Sequence, residues 1–158
     1  MVRLVALTLG LVLNAELHAA KLSPKNSKEM VLRAIIVFRN QPFEEQARAA
    51  AAVIFEFGET SPEVMVKISS KVVPFFKTKA TKLSDEQRGI LLTAFMAGII
   101  DEQLLRNHKQ DEPVAGILQM LATYRQMQTR WQNLRVPEIE KLSDLEKSGK
   151  LKEYVSSK

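Results

Sequence analysis

The chain has 158 residues and a formal net charge of +5, from 23 Lys and Arg against 18 Asp and Glu, and it contains no cysteine. The absence of thiols excludes cysteine nucleophiles, zinc–thiolate sites and iron–sulfur clusters. Basic and acidic side chains are mixed along the sequence, without a run of five like charges of the kind found in nucleic-acid-binding tails. The length fits one domain.

The beginning of the chain is typical of a secretory signal peptide. An N-terminal charge precedes an apolar stretch at residues 4–13, and small residues follow at Ala19 and Ala20. The apolar stretch is shorter than the roughly 20 residues that span a bilayer, and it lacks the polar stripe of a surface helix. We therefore predict a cleavable signal helix at residues 1–19, with cleavage after Ala19 or Ala20, and a single all-helical domain at residues 20–158.

Removal of a signal peptide would leave a periplasmic or secreted protein without a membrane span in the mature chain. In that mature chain Gly and Pro separate segments of helical periodicity. The pattern predicts a first helix at residues 28–39, capped by Asn26, and a second, alanine-rich helix at residues 42–57, ended by Gly58.

The segment TSPEVMVKISSKVVPFFK predicts a third helix, capped by Ser61 and kinked or ended at Pro74. Residues 42–77 resemble a HEAT-type helical hairpin, because an alanine-rich helix and a glycine precede the SPEV and VVP motifs. The resemblance implies a pair of packed helices. It covers one hairpin without a second copy at a fixed period, so it does not indicate a solenoid.

The central helix is predicted at residues 85–107, because its middle is apolar on all sides and Ser84 with Gln87 forms a capping box. A fifth helix follows at residues 113–134, and short C-terminal helices flank Gly149. The predicted fold class is therefore all-α, a compact bundle of about five main helices plus short C-terminal helices.

Groupings with recognisable chemistry are absent from the sequence. It has no G-x-S-x-G nucleophile turn, no Gly-rich phosphate loop and no H-E-x-x-H motif. His108 stands near Asp111 and Glu112, but a second His or Cys to complete a metal site is missing. We predict no catalytic residue, no metal and no cofactor; a hydrolase that uses carboxylates alone is the least favoured hypothesis.

Small side chains recur every four residues along the predicted central helix, at Gly89, Thr93 and Ala97, and the series ends at Asp101. Such a stripe has two interpretations. It forms the floor of a ligand groove, or it lets another helix, such as the alanine-rich one, pack closely.

A charged residue, Arg125, follows the apolar face of the predicted fifth helix, next to Tyr124. A buried guanidinium needs a partner, and Asp101 or Glu102 are the candidates; alternatively, the helix outruns the core and Arg125 is exposed. The tentative ligand or partner site therefore comprises Thr93, Asp101, Tyr124 and Arg125.

Two functional hypotheses follow from these observations. The first is an exported helical domain without catalytic machinery that binds a protein partner or acts as an envelope accessory factor. The alternative is a small-ligand carrier with a pocket between the helices at residues 85–107 and 113–134. Arg130, Trp131 and Arg135 offer a modest basic face, but neighbouring acids and export disfavour a nucleic-acid partner.

Overall fold

The computed structural model describes residues 24–73, 76 and 83–158, and these form six helices and no strand. The all-α fold class is therefore confirmed. The predicted signal segment and its cleavage sites lie outside the described residues. The helices are α1 (Pro24–Asn40), α2 (Glu45–Thr60), α3 (Asp85–Arg106), α4 (Pro113–Arg130), α5 (Pro137–Lys147) and α6 (Leu151–Ser156).

The helices pack as two hairpins and a C-terminal cover. Helix α1 packs along α2, and α3 packs along α4, as short connections favour for antiparallel neighbours. Helices α5 and α6 lie against α4 and against each other. One hydrophobic core, to which every helix contributes, joins the two hairpins and the cover.

Helix α3 is the centre of this bundle. Every side chain from Thr93 to Ile100 is buried, so the helix is covered on all sides. Its N-terminus has the predicted capping box, in which the Ser84 hydroxyl accepts from the Gln87 backbone N–H and the Gln87 side chain accepts from the Ser84 backbone N–H.

The predicted third helix is wrong, because residues 61–73 form turns and extended backbone. The buried side chain of Gln103 in α3 occupies both backbone groups of Met65: its Oε1 accepts from the Met65 N–H at 2.8 Å and its Nε2 donates to the Met65 C=O at 2.7 Å. These are the groups that helical bonds would use. Val64, Val72 and Val73 anchor the segment to the core in its irregular form, so the HEAT-type hairpin is not formed.

Several predicted helix boundaries move by a few residues. Helix α1 begins at Pro24, which places Asn26 inside the helix and not at its N-cap. Helix α2 begins at Glu45 and continues through Gly58 to Thr60. Gly58 lies close to α3: a Cβ at this position would lie 2.8 Å from Cε at the end of the flexible Met96 side chain.

In the C-terminal half of the chain, the helix boundaries lie closer to the predicted Pro and Gly positions. Pro113 occupies the first position of α4, as predicted, although this helix ends at Arg130 and not at residue 134. Gly149 has a φ of 70° between α5 and α6, a left-handed conformation that glycine adopts readily. The predicted break at this position is confirmed.

Candidate functional site

The interface between α3 and α4 is closed by direct contact of the two backbones. A Cβ added at Gly98 would lie 2.5 Å from the Ala115 carbonyl oxygen, and one at Gly116 would lie 2.9 Å from Phe95 and Ile99. Helices approach this closely only where side chains are absent. The region expected to hold a carrier pocket is therefore filled by close packing at these glycines.

A groove lies instead on the other side of α3, where the N-terminal halves of α2 and α3 meet the turn after α1. It has a volume of about 590 Å³ and opens to solvent, a size within the range of roughly 300–1,000 Å³ common for ligand sites. We call it the Gly89 groove. Its lining residues are Phe38, Pro42, Phe43, Glu44, Glu45, Ala47, Arg48, Ala51, Phe55, Glu86, Gly89, Ile90 and Thr93.

Small residues at four-residue spacing form both long sides of the Gly89 groove. Ala47 and Ala51 stand one turn apart on α2, and Gly89 and Thr93 stand one turn apart on α3. A Cβ at Gly89 would have no heavy atom of the described residues within 4 Å. The absence of a side chain at Gly89 therefore leaves open space on the α3 side of the groove.

Half-buried aromatic and aliphatic side chains give the Gly89 groove apolar walls. Phe55 of α2 and Ile90 of α3 are packed against the core while part of their surface faces solvent. Phe43 contributes a third wall from the turn before α2.

Phe43 is held in place by an aromatic cluster at the end of α4. Its ring meets the Trp131 ring edge-on, with 5.4 Å between centroids and an interplanar angle of 80°. The Arg130 guanidinium lies 5.3 Å from the centroid of Phe43 and 5.6 Å from that of Trp131. Such cation–π geometry favours one ring orientation, so this wall is preorganised.

The rim of the Gly89 groove is acidic. Glu44, Glu45 and Glu86 are exposed there, with Arg48 as the single cation of the lining. None of these four makes an ion pair with another side chain within the described ranges. The rim is thus negative on a chain whose net charge is +5.

The four residues predicted as a site do not form one cluster. Thr93 lies at the floor of the Gly89 groove, buried, with its hydroxyl donating to the Gly89 carbonyl oxygen at 2.8 Å. Asp101 pairs with Arg39 of α1 at 2.8 Å. The hypothesised pair between Asp101 and Arg125 is not formed.

Tyr124 and Arg125 make their polar contacts with helix α5 and the chain leading into it. Arg125 is half-exposed and pairs with Glu146, as expected if its charge is not buried. Helix α4 nevertheless stays in the core at this point, because Met127 is fully buried. The buried Tyr124 hydroxyl accepts from the Val136 backbone N–H at 2.9 Å and donates to Glu140 Oε1 at 3.0 Å. Both residues thus hold the C-terminal cover in place.

Burial raises the pKa of Tyr124 to about 12, and the Glu140 carboxylate adds to this increase. The Val136 N–H acts in the opposite direction, because it stabilises the phenolate. The hydroxyl is therefore neutral at ordinary pH and acts as a structural donor.

The connection between α3 and α4 contains the single histidine of the described residues. His108 Nε2 lies 3.4 Å from the Glu112 carboxylate. Desolvation raises the pKa of the nearby Asp111, although the charge and the backbone N–H of Lys67 oppose that shift. No group of three or more His, Asp or Glu side chains in the described part of the chain is arranged to hold a metal ion.

Comparison of the chain with protein-family models, curated proteins and solved structures gives no significant match. Within the described residues, no helix has the length and apolar character needed to cross a membrane. The Gly89 groove and the residues that line it are therefore the features that bear on function.

Sequence reasoning found part of the Gly89 groove and missed the rest. The stripe on α3 was predicted as a groove floor or as a packing surface for the alanine-rich helix, and two of its members, Gly89 and Thr93, line the Gly89 groove. Gly98, which lies outside the stripe, packs on α4. Phe43 and Phe55 were missed. Their signal was an aromatic pair flanking an alanine run, a pattern that a buried helix also produces.

Proposed function

We propose that this chain is an exported helical domain that binds a protein partner, with the Gly89 groove as the contact site. The observation that carries the proposal is an open apolar trough with a charged rim on an otherwise closely packed bundle. Its export rests on the signal-like sequence of residues 1–19.

The polar groups of the groove favour a protein over a small polar ligand. Ligand pockets usually direct several polar groups inward to fix one orientation. Here the floor hydroxyl of Thr93 is already bonded to a backbone carbonyl, while the charges stand at the exposed rim. An apolar floor with a polar rim is the usual arrangement of a protein interface.

Photo-crosslinking in the native host tests the binding part of this proposal. A benzophenone amino acid replaces Phe55 in the groove wall, and in the control chain it replaces the exposed Lys152 on α6. We expect a protein adduct from position 55 and none of the same mass from position 152. Adducts that are identical from both positions, or no adduct at all, would contradict the proposal.

Mass spectrometry of the chain after cell fractionation tests the export part separately. A mature N-terminus at residue 20 or 21, in the periplasmic or extracellular fraction, is the expected result. An intact N-terminus in the cytoplasmic fraction would contradict export, but it would not affect the proposal that a partner binds in the Gly89 groove. A small molecule that co-purifies with the chain and is displaced by filling the groove would instead support a small-ligand carrier whose site is the Gly89 groove and not the predicted pocket between residues 85–107 and 113–134.

A further inference from the structure

We infer that the Gly89 groove receives an amphipathic helix of the partner, with Lys or Arg side chains flanking its apolar face and its backbone crossing α3 at Gly89. This inference rests on the proposed function and adds the chemistry of the partner. Three features of the molecule support it: the shape of the groove, the charge of its rim and the open space at Gly89.

The shape of the groove matches a helix because two helices form its sides. Ala47 and Ala51 on α2 face Gly89 and Thr93 on α3, each pair at the four-residue spacing that defines helix ridges. Helices pack when the ridges of one enter the grooves of another, with axes about 8–10 Å apart. Small residues on both sides permit that distance.

Gly89 has no structural requirement among the described residues. Glycine has a lower helix propensity than alanine, and at Gly98 and Gly116 close neighbours across the α3–α4 contact explain the choice. At Gly89 a Cβ would meet no atom of the described residues. A glycine in this position leaves room for the close approach of a partner's backbone.

The charge of the rim selects a cationic partner. Three carboxylates and one guanidinium border the groove, and all four are exposed and without an ion-pair partner in the described part of the chain. The charged lining residues therefore sum to a formal charge of −2, three carboxylates against one guanidinium, on a chain whose net charge is +5. Complementary charges guide association and suppress wrong partners.

The binding test uses two fluorescent 18-residue helical peptides with the same leucine face, one with lysine and one with glutamate on the polar face. The protein is expressed with its full sequence in its native host and purified from it. We expect the lysine peptide to bind at least about tenfold more tightly than the glutamate peptide, since like charges at the rim oppose binding. Its affinity should fall with added salt, because exposed charges are screened.

Two substitutions to tryptophan locate the binding. Gly89→Trp fills the trough, whereas Gln110→Trp places the same side chain in the exposed connection between α3 and α4 and serves as the matched control. We expect Gly89→Trp to weaken the binding of the lysine peptide at least about tenfold and Gln110→Trp to change its affinity by less than about twofold. Thermal unfolding of both variants checks that each is folded.

A charge reversal at Glu44, Glu45 and Glu86, each to Lys, provides a second route that leaves the apolar trough intact. We expect the preference to invert in favour of the glutamate peptide. Equal affinity of Gly89→Trp and Gln110→Trp for the lysine peptide would overturn the inference, and so would an unchanged preference after charge reversal. A groove adduct from position 55 combined with either result would leave the proposed function standing and refute only the partner chemistry.

Discussion

Two glycines of the same helix, Gly89 and Gly98, lie in opposite environments. The Cβ position of Gly98 is occupied by the backbone of α4, with the Ala115 carbonyl oxygen at 2.5 Å, while that of Gly89 faces open space. One glycine joins two helices of the fold and the other lines an unfilled groove. A small residue in a helix therefore indicates close approach without specifying whether the neighbour belongs to the same chain.

The largest effect is expected from Gly98→Ala. The new methyl group would collide with backbone atoms of α4, which yield only if the two helices separate, so we expect a loss of about 3 kcal/mol or more in the free energy of unfolding. Urea denaturation followed by circular dichroism measures it. A loss below about 1 kcal/mol would show that the α3–α4 contact is looser than described.

A loss of about 2–3 kcal/mol is expected from Gln103→Leu, because it leaves both backbone groups of Met65 without their partner. The effect should concentrate in the irregular segment, residues 61–73. Amide hydrogen exchange at Met65 should therefore accelerate more than exchange within α4. Gln110→Leu, in the exposed connection between α3 and α4, is the control and should be close to neutral. Unchanged exchange at Met65 would contradict the role assigned to Gln103.

The next effect concerns the C-terminal cover, which Tyr124 joins to α4. Tyr124→Phe removes the acceptor of the buried Val136 N–H, and we expect a loss of about 1–2 kcal/mol in the free energy of unfolding. The pH dependence gives an independent check. The pKa of Tyr124 is raised from 10.0 to about 12 in the fold, so the stabilisation is fully present below pH 10 and is lost as the pH rises through 12.

The stability difference between the native chain and Tyr124→Phe should accordingly be constant from neutral pH to about pH 10 and narrow above it. Comparing the two chains cancels the titration of Tyr154 and of the lysines. A difference that stays constant to pH 12 would mean that the Tyr124 hydroxyl is not buried as described.

The smallest effect is expected from Gly89→Ala, and it has the opposite sign. Alanine has a higher helix propensity and meets nothing at this position, so we expect a gain of about 0.5–1 kcal/mol. The same urea titration measures the free energy of unfolding of both Gly89→Ala and Gly98→Ala. The opposite signs expected for the two changes test directly whether the two glycines lie in different environments. Destabilisation by Gly89→Ala would show that the groove is occupied by part of the chain itself.

The amount of structure that could be predicted differs from element to element. The start of α3 at Asp85, after the N-cap Ser84, was predictable to the residue, because its capping box is a local property. The segment after Ser61 carried comparable local signals and still forms no helix. Its outcome is decided by Gln103, 38 positions away from Met65, and local pattern contains no information about such a partner.

The candidate site shows the same division. The Thr93 stripe was visible in the sequence because four-residue spacing on a helix is a local regularity. The partners of Asp101 and Arg125 were not visible, since Arg39 lies 62 positions from Asp101 and Glu146 lies 21 positions from Arg125, and only the packing of α1 and α5 brings each pair together.

By itself, the sequence determined that this chain is helical, where α3 and α4 begin, and that α3 is buried on all sides. These properties follow from hydrophobic periodicity, caps and the Gly and Pro that interrupt them. The tertiary structure alone decided that residues 61–73 are irregular, that α3 and α4 meet backbone to backbone, and that α2 and α3 leave the Gly89 groove between them. The physical reason is that close packing depends on which two surfaces meet. The hydrophobic pattern of a helix shows which of its faces is buried, but it does not specify which other helix covers that face.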